Sequence, residues 1–243
     1  MKHLKTIISV LAILASVSCA KNQTSGNGQV VFMVSSDDAV ADCTRSNVSD
    51  YTALPATGDF VISIRDEESY KVFDGKLSEW DSTTQLTEGY YSVEACFGEL
   101  ETEGFDKPYF HGRHDFMVNG GKTEEVSIPV SLGNTIIKVE CTENFRKYYN
   151  DYSFTLMRDG NPIAVIGKEE TRAVFVDGYR FSINATISSE SNSYEIIREY
   201  TDLDAATAYV IRFDVTNVGG GSITITFNDE VETVDLGNYE LND

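Results

Sequence analysis

The sequence predicts an all-β chain built as two tandem β-sandwich domains, and three observations predict it. Short segments alternate apolar and polar residues, the period of a half-buried strand. The stretch 86–97 (LTEGYYSVEACF) has an echo at 175–187 (FVDGYRFSINATI), where an acidic residue and Gly (Glu88-Gly89, Asp177-Gly178) precede a Tyr and a period-two run. Tyr91/Val93/Ala95/Phe97 match Phe181/Ile183/Ala185/Ile187 in that run. The order of segments also restarts after Gly133-Asn134. There 135–141 corresponds to 29–36, and Tyr152/Phe154/Leu156 correspond to Phe60/Ile62/Ile64. The chain of 243 residues divides on this reading into 1–18, a signal peptide; 19–28, a tether; 29–132, a first sandwich; and 133–243, a second.

Residues 1–18 carry Lys2 and Lys5 ahead of an apolar run, 7–15, too short to span a bilayer. The run ends Ser16-Val17-Ser18-Cys19, which resembles a bacterial lipobox, so Cys19 is expected to be lipidated and to anchor the protein without a membrane span. Residues 20–28 are polar and of the tether type, and at full extension reach about 30 Å. Ala20, rather than Asp, follows Cys19, which fits an outer-membrane lipoprotein facing either the periplasm or the surface.

A formal net charge of −20 repels nucleic acid and anionic lipid, which leaves the acyl chain as the attachment. With Cys19 lipidated, Cys43, Cys96 and Cys141 remain, an odd number with no expected intrachain disulfide. Cys141 shares strand parity with Ile137 and Val139 and reads as a small buried hydrophobe.

The elements follow in order. A strand at 29–36 leads into a polar loop through Pro55 that holds Asp37, Asp38 and Asp42. These lack the spacing that wraps calcium. Segments 59–65 and 70–73 read as a hairpin, 77–84 as a connection, 86–97 as the central strand, 107–118 as β-rich, Gly120-Gly121 as a turn and 123–132 as the closing strand. In the second half, 142–150 reads as a short helix or turn, 162–166 and 171–176 as a hairpin, and 179–188, 193–200, 206–215, 222–227 and 231–234 as strands. Gly219-Gly220-Gly221 reads as a hairpin turn, because strand patterns flank it and no helix pattern follows.

Candidate functional residues are few. Arg45, in the loop after the first strand, is a candidate site of proteolytic processing. Trp80, the only tryptophan, is either a platform for stacking a sugar ring or a plug over the sandwich end. Asp81-Ser82-Thr83 resembles an O-glycosylation acceptor, with Ser82 the modified residue. His111 and His114 fall on opposite faces of a strand and do not make a metal pair. With no G-x-S-x-G and no H-E-x-x-H, neither an enzyme nor a cofactor is expected.

The run 105–123 (FDKPYFHGRHDFMVNGGKT), with 134–139, 145–157 (FRKYYNDYSFTLM), the lipobox and LTEGYYSVEA, resembles the Bacteroidetes lipoproteins grouped as domain-of-unknown-function family 4493. In layout the chain is also similar to fimbrillins, lipoprotein precursors with two transthyretin-like (Ig-like) sandwiches and a first strand released after an Arg. That likeness implies an adhesion or fimbria-like assembly role, with protein partners recruited by strand exchange. A glycan-binding envelope lipoprotein is the alternative.

Overall fold

The computed structural model describes residues 26–39, 47–189, 192–215, 222–227 and 230–235. The first half contributes β1 (Asn27–Ser36), β2 (Val61–Asp66), β3 (Lys71–Lys76), β4 (Leu86–Thr87), β5 (Gly89–Phe97), β6 (Gly104–Phe105), β7 (Phe110–Val118) and β8 (Thr123–Leu132). The second half contributes β9 (Thr135–Cys141), α1 (Glu143–Tyr148), β10 (Asp151–Arg158), β11 (Asn161–Gly167), β12 (Val174–Val176), β13 (Arg180–Ser188), β14 (Ser193–Thr201), β15 (Ala208–Val215), β16 (Ser222–Phe227) and β17 (Glu230–Asp235). The chain is all-β, as its alternation predicts.

The strands of the first half follow the order β3-β2-β5-β7-β8-β1-β4. This path folds on itself, because β7 and β8 pair only at Phe110↔Leu132 and His111↔Ser131. Beyond that corner the two sheets face each other across one core, in which Ile62, Val93 and Phe116 meet Phe32, Val126 and Ile128. The corner needs Gly112: a Cβ there would lie 1.9 Å from the Pro129 carbonyl oxygen.

The same order recurs in the second half. The sheet β11-β10-β13-β14 matches β3-β2-β5-β7, and β15-β9-β12 matches β8-β1-β4. Both halves also share a parallel pairing of their first and last matching strands, β1 with β8 and β9 with β15. The echoed motif marks where the chain changes sheet. Leu86-Thr87 pairs with β1 and then β5 pairs with β2, just as β12 pairs with β9 and β13 with β10. The two glycines of the motif serve different needs. A Cβ at Gly89 would meet nothing within 4 Å, whereas one at Gly178 would lie 2.2 Å from the Leu203 carbonyl oxygen.

Two expectations are corrected. Segments 162–166 and 171–176 do not form a hairpin: β11 pairs with β10 through the left-handed pair Asp159 (φ 47°) and Gly160 (φ 81°). That turn matches the right-handed twist of its strands. The chain then crosses to the opposite sheet, where β12 joins β9. The second concerns 98–106, to which the alternation assigns no strand, and which contains β6, a two-residue strand that pairs with β12 of the second half. Helix α1 forms as expected. Thr142 Oγ1 accepts from the Phe145 N–H at its N-terminus, and Phe145 is fully buried in the second core.

Candidate functional site

The strand on which an assembly role depends is β1. Val30, Phe32 and Val34 point into the core, and Val31 and Met33 point outward. Burying the three inward side chains contributes about 1.5–3 kcal/mol each. Eight consecutive positions, Gln29↔Thr123 to Ser36↔Val130, pair with β8. On its other side β1 pairs with β4 only at Asn27 and Gly28. Past that point two bonds to the 77–84 connection, each made by one side chain and one backbone carbonyl, take over. Gln29 Nε2 donates to the Thr83 carbonyl (3.3 Å), and Trp80 Nε1 donates to the Val30 carbonyl (3.0 Å).

Trp80 is therefore built into the fold. It is half-buried, its N–H is bonded to β1, and its ring packs edge-on against Phe32 (5.4 Å) and Phe73 (5.2 Å). Ser82 stands exposed on a tight turn, beside an Asp81 carboxylate that accepts from the Thr83 N–H (2.9 Å) and Thr83 hydroxyl (2.7 Å). These two bonds hold the Asp81 carboxyl below its ordinary range.

The loop after β1 is tied down on both flanks of residues 40–46. The Asp37 N–H donates to the Val130 carbonyl, and Asp38 accepts from the Ser49 N–H (2.9 Å) and hydroxyl (2.7 Å). Ala39 bridges to Asn47, and Val48 is fully buried in the first core. Arg45, Cys43 and Asp42 fall in 40–46, Cys19 in 1–25 and the turn expected at Gly219-Gly220-Gly221 in 216–221, outside the described residues. Asp37 and Asp38 hold this turn together, and no group of three metal-ligating side chains occurs among the described residues. His111 and His114 are both exposed. Cys96 and Cys141 are free thiols; Cys141, expected to be buried, is only half-buried against the second core because it ends its strand, and desolvation there pushes its thiol up to about 12.

The junction near Gly133 is buried rather than a linker. Asn134 is fully buried: its side-chain oxygen accepts from the Tyr109 N–H, and its carbonyl accepts from the Ala206 N–H. Ile136, Ala173 and Phe175 of the second half lie in the first core. Beside the junction, the Glu103 carboxylate, in the arm that carries β6, takes two bonds from Arg158 (2.7 and 2.6 Å) and one from the Asp177 N–H (2.7 Å). Arg158 also donates to the Asp177 carbonyl. Arg172 lies 4.5 Å over the Phe105 ring and pairs with Asp106 (2.9 Å). None of these ion pairs has a sequence signature, because each partner lies more than fifty residues from the other.

Several concavities open on the described surface. A cleft of about 370 Å³ lies between β14 and the β16–β17 pair, lined by Tyr200, Leu203, Ile225 and Phe227. The bidentate Arg198–Glu232 pair (2.7 and 2.7 Å) spans it. Phe181 and Phe227 pack on the Tyr200 ring, and burial pushes the Tyr200 phenol up to about 12. A groove of about 280 Å³ lies on the outer face of β5 and β7, lined by Tyr90, Arg113 and Asp115 together with the β2–β3 turn. Among the described residues, no helix is long and apolar enough to cross a membrane.

Residues 26–237 match the family described as Domain of unknown function (DUF4493), and the chain belongs to that family. No curated protein matches it. Among solved structures, it is similar to a proposed cell adhesion protein of Bacteroides ovatus at 12% identity and a TM-score of 0.48, covering 89% of this chain and 100% of that one. It is also similar to a fimbrial assembly protein of Parabacteroides distasonis, at 8% identity and a TM-score of 0.45 over 74% and 92% of the two chains. A third, a proposed polysaccharide-binding protein of Bacteroides thetaiotaomicron, is 11% identical with a TM-score of 0.41 over 87% and 99%. Likeness at this level decides no ligand.

Proposed function

We propose that this protein is a lipid-anchored, non-catalytic component of the bacterial cell envelope, with an adhesion or fimbria-like assembly role, made of two sandwich domains that meet near Gly133. The observation that carries the reading is the seating of β1. It enters its sheet as a parallel insert beside β8, its apolar side chains fill a groove, and its far edge is held by two side-chain bonds instead of a full ladder. A strand in such a seat can be replaced by another chain's extended segment through β-augmentation. Arg45, between β1 and the buried Val48, is the cut that would free it. Cleaving the native protein with a trypsin-like protease tests this. Ladders of multimers on mildly denaturing gels are expected, and a cleaved protein that stays monomeric with β1 bound overturns it.

The anchor is tested apart from assembly: Cys19→Ala releases the protein from the membrane fraction, and unchanged retention refutes acylation there. Ser82 is proposed as an O-glycan acceptor, to be read as a mass shift lost in Ser82→Ala. The second reading is glycan binding. Trp80 is engaged in the core, so that reading rests on the exposed tyrosines instead, of which Tyr90 stands over a groove.

A further inference from the structure

We infer that the groove on the outer face of β5 and β7 is a binding site for a neutral saccharide, with Tyr90 as the stacking platform and the carboxylates of Glu67 and Asp115 and the guanidinium of Arg113 as its polar contacts. This deepens the glycan-binding reading and rests on it.

The alternation that buries Tyr91, Val93 and Ala95 turns Tyr90, Ser92 and Glu94 outward. Antiparallel pairing with β7 then sets Met117 opposite Tyr90, Asp115 opposite Ser92 and Arg113 opposite Glu94. Tyr90 is 64% exposed, and among the described residues no other ring packs against it. An exposed aromatic face on a rigid central strand loses little conformational entropy on binding and offers an apolar surface to the C–H face of a pyranose.

The polar groups converge from two elements. Arg113 donates to Asp115 Oδ1 (3.3 Å) and to Glu94 (3.5 Å), which presents its planar guanidinium beside the carboxylate. From the other side comes the tip of the β2–β3 hairpin, with Asp66, Glu67 and Ser69. This tip is fixed. Asp66 Oδ1 accepts from the Glu68 and Tyr70 N–H groups (3.0 and 2.8 Å), and the Ser69 carbonyl accepts from Arg65 (3.2 Å). Ser69, at the groove wall, holds a left-handed backbone (φ 67°), an unfavourable conformation for a residue with a side chain.

The volume, about 280 Å³, is near the lower end of small-molecule sites and suits one sugar ring of a longer chain. Charge decides the class of sugar. Three carboxylates (Asp66, Glu67 and Asp115) face one guanidinium, in a chain of net charge −20. Uronic and other acidic sugars are repelled. Hydroxyls, which donate to carboxylates and accept from arginine at once, are matched.

Affinity electrophoresis of the detergent-extracted full chain tests the site, with galactomannan, mannan and mixed-linkage β-glucan as neutral probes and polygalacturonate and polylysine as charged ones. Retardation by at least one neutral polysaccharide and none by polygalacturonate is expected. Tyr90→Ala should lower that affinity at least tenfold and Arg113→Gln severalfold, whereas Tyr90→Phe keeps the ring and stays within twofold. Tyr179→Ala removes a ring 72% exposed in the second half and should change nothing. If a neutral polysaccharide binds the wild type and Tyr90→Ala equally, the groove is wrong and the glycan reading survives elsewhere. If no neutral probe is retarded, or only polylysine is, both fall. A thermal melt by circular dichroism confirms that each variant folds.

Discussion

The two halves of the chain build the same seven-strand plan and close it in different ways. In the first, β8 meets β7 at a corner and leads directly into β9, so the sandwich closes on one side. In the second, β15 pairs instead with β16, and β17 extends the sheet further. The consequence is local: β14, the counterpart of β7, pairs only with β13 among the described strands, and the cleft spanned by Arg198 and Glu232 opens beside it. The other end of the sheet that holds β15 is completed by β6, lent by the first half. A repeated plan fixes which strands neighbour one another inside a sandwich, but edges are managed case by case, because an unpaired edge is costly and has several remedies.

The comparison is tested most severely by separation. A chain of residues 26–132 is expected to unfold in one cooperative transition, at lower denaturant than in the full protein, since Ile136, Ala173 and Phe175 no longer complete its core. Urea titration followed by circular dichroism reads this, and a chain that never folds shows that the halves are one unit.

Next in size is the ionic clamp between the halves. Arg158→Ala leaves Glu103, whose side chain is only 8% exposed, without its cation, and should cost about 3 kcal/mol in urea unfolding. Glu103→Ala/Arg158→Ala should cost less than Arg158→Ala alone; an additive double mutant would mean the pair is not coupled.

A similar loss is expected within β1 itself. Phe32→Ala removes a ring packed against Trp80 and Phe116, at about 3 kcal/mol. The brace is worth less: Trp80→Phe forfeits the bond to the Val30 carbonyl, about 1 kcal/mol. Hydrogen exchange should then quicken in β1 before it does in β9, and equal exchange in both would show that Trp80 is not what holds β1.

The smallest effect concerns thiols. Burial raises the Cys141 pKa to about 12, so its thiolate is scarce at pH 8, whereas an ordinary thiol near pKa 8.5 is partly ionised there. Native Cys141 should resist iodoacetamide for hours at pH 8 and react on unfolding; prompt alkylation mapped to Cys141 by mass spectrometry would contradict the raised pKa of this half-buried thiol.

Much of this was legible in the residues. Strands that bury one face announce themselves by a period of two, which is why β1, β8, β9 and β13 lie within two residues of where alternation puts them. The echo at 86–97 and 175–187 was legible too, since both copies must make the same passage from one sheet to the other. Tyr90 was readable as an outward aromatic from the parity of Tyr91, Val93 and Ala95. Sequence also shaped the choice at Trp80 without making it: a lone large aromatic in a connection fits a plug or a platform equally well. Only the packing gave its N–H to Val30 and its edges to Phe32 and Phe73.

What tertiary structure alone decided are the contacts between residues far apart in the chain. Strand β6 is two residues long, too short to carry a period, and exists because β12 offers an edge to it. The segments around β11 and β12 look like a hairpin because both alternate and are close in sequence. Local pattern reports that a strand is half-buried and says nothing about which neighbour it pairs with. Glu103 and Arg158, like Arg113 and the hairpin tip across from it, are ordinary charged residues until the fold brings them together. Periodicity is a property of one segment and a site is a property of several, so the sequence by itself determined the long strands and their order of repetition, and the tertiary structure decided the short strand β6, the junction, the cleft and the groove.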